Sequence, residues 1–131
     1  MTRVITTTYV NTYRFDFAIE GGTTGAKVLR GPQIPSGCIV TDALIHVDAA
    51  LTGGTGSHTV SLGSGESATD LQTATARNAE PWASTGAKRA TFTATTAPLK
   101  MTADRAPTLT INSSALTAGR IRVVLTIMEV I

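Results

Sequence analysis

Imidazole and carboxylate side chains that share one strand face are the first place to look for chemistry in this 131-residue chain. Asp42, His46 and Asp48 fall on even positions of the stretch Cys38 to Ala49, and a strand puts alternate residues on one face. Such groups bind divalent cations when they converge. Positions four apart on a strand are separated by about 13 Å, too far to share an ion. Within the strand only His46 and Asp48 are close enough to meet, and the turn can bring His58 near them. The spacing therefore predicts a satisfied polar pair at a sheet rim and no metal site.

The other chemical signals are weaker. Gly21-Gly22-Thr23-Thr24-Gly25-Ala26-Lys27 has the composition of a phosphate loop. Its lysine does not follow the last glycine, and no strand-to-helix switch flanks it. It reads as a flexible hairpin loop. No Gly-x-Ser-x-Gly elbow is present, so the hydrolase serine of that motif is missing. The nine carboxylates show no acid/base pairing by spacing. Asn112-Ser113-Ser114 matches a glycosylation acceptor, a match expected to be chance in a chain read without a signal peptide. No catalytic residue, metal ligand or cofactor is expected. Trp82 follows Pro81 and is the sole tryptophan. It either anchors a contact surface, as tryptophan often does, or closes one end of the core. The single cysteine, Cys38, precedes Ile39 and Val40 and reads as a small core hydrophobe.

The elements that must position these residues are mostly strands. Tyr13 to Ile19 alternates aromatic and aliphatic with polar residues until Gly21-Gly22. Lys27 to Arg30 is a short candidate. The turn cluster Gly31 to Gly37 leads into the longest strand, Cys38 to Ala49, which is partly apolar on both faces and so is expected to be central and covered on both sides for some of its length. His58 to Leu62, Lys88 to Ala94, Leu99 to Thr102, Thr108 to Asn112 and Arg120 to Val130 follow, with Ser113 to Gly119 as a hairpin loop. Ser67 to Asn78 is the one helical candidate, capped by Ser67 with Asp70 three residues on. Eight or nine short strands with frequent turn signals point to an all-β sandwich, jelly roll or barrel. Phe15, Phe17, Ile45, Val47, Phe92, Leu109, Ile111, Val123 and Leu125 are the expected inward residues.

Composition agrees. Charged residues make up 15% and the net charge is +2. The missing charge is replaced by Thr, Ala, Gly and Ser, and threonine favours strands. No run of Lys/Arg is present and aromatics do not interleave with the basic residues, so nucleic acid is not an expected partner. No apolar run approaches the length of a membrane-spanning helix. Met1 to Thr7 shows no leader-like apolar stretch, which predicts synthesis in a cytosol, with secretion by a signal-less route left open. A low-charge surface suits a protein covered by partners.

Ile34-Pro35-Ser36-Gly37-Cys38-Ile39-Val40-Thr41, the long strand after it, the Gly/Thr loop and Val60-Ser61-Leu62-Gly63 form a pattern. It resembles the small β-sandwich structural proteins of tailed bacteriophages, in particular jelly-roll capsid decoration (cement) proteins. The resemblance runs from about Ile34 to Ile131. It implies a single jelly-roll-like β-sandwich of about eight strands with one short helical loop segment. It also implies a homotrimer that binds the major capsid protein on the outside of the shell, in a virion assembled in host cytoplasm. Related sandwiches occur in tail and head-fibre proteins, and a carbohydrate- or receptor-binding module is the rival reading. Residues 1–12 are expected to form an N-terminal arm or edge strand, and 13–131 the sandwich. The expected contact residues are Val4, Ile5, Tyr9, Val10 and Trp82, with the loops at 53–56 and 81–86 also able to reach a partner.

Overall fold

The computed structural model describes residues 6–53, 58–91 and 99–130. Its elements are β1 (Thr6–Asp16), α1 (Phe17–Glu20), β2 (Gly25–Val28), β3 (Ile39–Gly53), β4 (Thr59–Gly63), β5 (Gln72–Ala76), β6 (Gly86–Arg89), β7 (Leu99–Lys100), β8 (Thr108–Asn112) and β9 (Leu116–Val130). The larger sheet runs β1-β9-β3-β6, with β7 also on β3; the smaller runs β2-β8-β4-β5. Every ladder is antiparallel. The pairings nest: β1 with β9, β2 with β8, β3 with β6 and β7, β4 with β5. A long hairpin rolled up on itself gives this order, which is the jelly roll, a two-sheet β-sandwich.

Period-two patterning builds the core between the sheets. Ile121, Val123, Leu125 and Ile127 of β9 are fully buried, as are Leu109 and Ile111 of β8 to within 1%. On β3, Val40, Ala43, Ile45 and Val47 all point inward. An odd spacing separates Val40 from Ala43, and the register shift between Val40 and Asp42 absorbs it. An extra residue at such a bulge returns the next side chains to the core face. Tyr13, Phe15 and Cys38 join the same cluster, with Phe17 only partly buried against it. Phe92 lies outside the described residues.

Four sequence expectations need correction. The strand expected to continue to Ile19 stops at Asp16. Asp16 caps α1 by accepting from the Ala18 amide at 3.0 Å, and Glu20 accepts from the Asp16 amide at 2.7 Å. These reciprocal bonds turn the chain into a helical turn, leaving Ile19 exposed. Ser67 to Asn78 is not helical: Ser67 caps only a bend, accepting from the Thr69 amide, and Gln72–Ala76 is β5, paired with β4. Its β-branched Thr73 and Thr75 suit a strand. The segment after β8 is not a hairpin, because β8 and β9 belong to different sheets; Ser113, at φ 75°, turns the chain between them. Finally, β3 is central, but among the described residues only its inner face is fully buried. Its outer face carries Asp42, Leu44, His46 and Asp48, none of them fully buried.

Candidate interaction surface

β1 stands at the edge of the larger sheet and runs unbroken from Thr6 to Asp16, its whole length paired with β9. Arg14 exchanges both backbone hydrogen bonds with Arg30, each at 3.0 Å, on the side away from β9. Strand groups alternate sides with period two. The amides and carbonyls of Thr8, Val10 and Thr12 therefore face the same open edge. Val10, 58% exposed, sits in the middle of it. Tyr9 turns the other way and packs, half-buried, against the core. Its hydroxyl lies 3.8 Å from Cys38 Sγ; burial, then this contact, push the phenol up to about 12. Val4 and Ile5 lie outside the described residues.

Trp82 is not on the surface. It is fully buried, and its indole N–H donates to the Val60 carbonyl at 3.1 Å. Of the two sequence readings, closing one end of the core is the one the structure adopts. A buried indole with its single donor satisfied offers nothing to a partner.

The polar residues singled out from the sequence meet on the outer face of the larger sheet. His46 Nδ1 lies 3.0 Å from Asp48 Oδ1. Arg122, opposite His46 on β9, forms a fork on Asp48 with both bonds at 2.9 Å and reaches His46 Nδ1 at 3.1 Å. The guanidinium hydrogen bonds hold the Asp48 carboxyl below its ordinary range. The His46–Asp48 pair is thus part of an ion-paired cluster with Arg122 on the outer face of the sheet. Asp42 pairs separately with Arg89 at 2.7 Å.

Beside this cluster lies a groove of about 450 Å³, with Arg14, Arg30, Arg120 and Arg122 in its walls. Sequence reasoning missed it. Each arginine occupies a polar position of an alternating strand or the turn after one, but only the register brings them together. Arg14 lies opposite Arg122 on one side and Arg30 on the other.

No protein-family model and no curated protein matches this chain. Solved structures do. A chain in the cyanophage Pam1 capsid asymmetric unit superposes with a TM-score of 0.66 at 21% identity, over 94% of this chain and 85% of that one. A chain in the acid-stable capsid of Helicobacter pylori bacteriophage KHP30 gives 0.64 at 15% identity, over 100% and 97%. One in the capsid of Ralstonia phage GP4 gives 0.58 at 18% identity, over 92% and 84%. The likeness is one of fold.

Proposed function

We propose that this chain is a non-enzymatic virion structural protein, a capsid decoration protein that binds the outside of a phage shell and stabilises it. The observation that carries this reading is the end-to-end match of its jelly roll to chains of similar size from three phage capsids. Attachment uses the open edge of β1, where Val10 is exposed, with Val4, Ile5 and Tyr9 as its neighbours in sequence. Strand addition at such an edge gives affinity through backbone hydrogen bonds. Bound copies, acting as homotrimers, bridge shell subunits. Ligand binding to the assembled state alone adds about 2.7 kcal/mol per site at a hundredfold excess over Kd.

The rival reading, a carbohydrate- or receptor-binding tip, draws no support from the aromatic side chains. Among the described residues, Tyr13, Phe15 and Trp82 are buried, and Tyr9 and Phe17 pack partly against the core. None forms the exposed platform a sugar ring stacks on. The deciding experiment compares phage particles made with and without this chain, by electron microscopy and by the temperature of genome release. Intact shells that lack an outer density and open at lower temperature are expected. Failure of the shell to form would make the chain a shell-building subunit, and loss of density from the tail or fibre alone would move it there.

A further inference from the structure

The groove beside the His46–Asp48–Arg122 cluster carries an inference that holds wherever on the particle the chain sits. Of its four guanidiniums, Arg122 is committed to Asp48 and Arg30 to Glu20. Arg14 and Arg120 form no ion pair among the described residues, although the charge of Arg120 reaches Asp48, and both are exposed. Asp16, directly opposite Arg120, spends an oxygen on the Ala18 amide. Arg30, Arg14 and Arg122 stand side by side across three chain segments, with His46 next in the same row. Like charges directly opposite each other on a sheet are destabilising. Glu20 and Asp48 offset the two outer arginines of this row, and Arg14 between them is the one an incoming anion would neutralise. At the lip, Ile19 of α1 is 62% exposed.

We propose that this groove docks a carboxylate-bearing segment of a partner protein, an Asp or Glu held by Arg14 and Arg120 with an apolar neighbour against Ile19. The planar guanidinium fork matches a carboxylate in two parallel hydrogen bonds. A nucleic-acid backbone fits less well. It needs an unbroken basic track, and Asp16, Asp48 and Glu20 are interleaved with the arginines here. The exposed isoleucine likewise suits a peptide and not a phosphodiester.

The test uses the full chain with two probes of matched length, poly-L-glutamate and an oligo-dT strand, titrated at 50 and 150 mM salt. Poly-L-glutamate is expected to bind the wild type, more weakly at the higher salt. The double variant Arg14→Gln/Arg120→Gln is expected to lose at least tenfold in affinity while melting no lower than wild type, since the like-charge row is thinned. Arg120→Gln alone should lose at least threefold, and Lys100→Gln, on another strand, less than twofold. Unchanged affinity in both arginine variants, or no poly-L-glutamate binding at low salt, overturns the proposal. Tighter binding of oligo-dT that the double variant abolishes also overturns it and assigns the groove to nucleic acid.

Discussion

His58 is buried where β4 begins, and neither ring nitrogen has a hydrogen-bond partner among the described residues. Burial, and then the charge of Arg77, lower its pKa. A neutral imidazole is thus what the fold accepts, and a charged one is expelled from water at a cost. The sign of the pH dependence follows. The unfolded chain protonates this histidine near its ordinary value of about 6.5, while the folded chain resists. His58 costs nothing above that value, and stability falls as pH drops below it. The ordinary histidine range lies above that of Asp and Glu, and comparison with a variant lacking His58 separates its share of the decline. Denaturant midpoints at pH 7.5, 6.5, 5.5 and 5.0 should decline for wild type and flatten below 6.5 in His58→Leu. An equal decline in both would show that the proton goes elsewhere. The sequence placed His58 near His46 across a turn, as a possible member of a polar group. Its burial depends on β4 lying between β8 and β5, which alternation alone does not show.

At the scale of elements, β1 separates two roles that proline can tell apart. The groups of Val10 face the open edge, and those of Asn11 face β9, by the alternation that Arg14 and Arg30 fix. Proline removes an N–H, which matters only where that N–H is bonded. Val10→Pro should therefore change unfolding free energy by less than about 1 kcal/mol and still weaken attachment to particles. Asn11→Pro should cost about 1–3 kcal/mol through a broken ladder bond and an orphaned carbonyl on β9. Chemical denaturation and particle occupancy of both variants check this; an unstable Val10→Pro would place the open edge on the other set of residues. Much of the element pattern was legible in the sequence. Thr108 to Asn112 matches β8 end to end, and the inward set of β9 follows its alternation. What alternation could not show was where local bonds override it. Asp16 and Glu20 bend a run whose period two continues in the sequence. The threonines of 73–76 decide for a strand only because β4 is there to pair with. The open edge of β1 was readable as an edge strand or an arm; the arginine groove was not readable at all, since its walls come from β1, β3, β9 and the turn after β2.

At the scale of the whole molecule, the nested topology makes the fold depend on its last strand. β9 lies between β1 and β3 and contributes Ile121, Val123, Leu125 and Ile127 to the core. Its ladder joins Thr6 to Val130 at one end and Asp16 to Arg120 at the other. The β2–β8 ladder likewise spans from Gly25 to Ile111. Among the described strands, only β4 with β5 joins neighbours in sequence. Loop-closure entropy must therefore be met before most contacts form, which places folding in the range of about milliseconds to seconds. It also means that no fragment lacking β9 holds the larger sheet, although one ending at residue 115 keeps all four strands of the smaller. Without β9, β1 has no ladder and β3 loses its longest one, and the inner faces of both would stand open to water. The chain truncated after residue 115 should accordingly show no cooperative unfolding transition and a collapsed amide spectrum, even though eight of its nine strand sequences remain. Refolding of the intact chain should be slow enough for stopped flow. A dispersed spectrum from the truncated chain would show that the smaller sheet, β2-β8-β4-β5, is a folding unit in its own right. The larger sheet would then assemble upon it, and β9 would be its final addition and not its requirement.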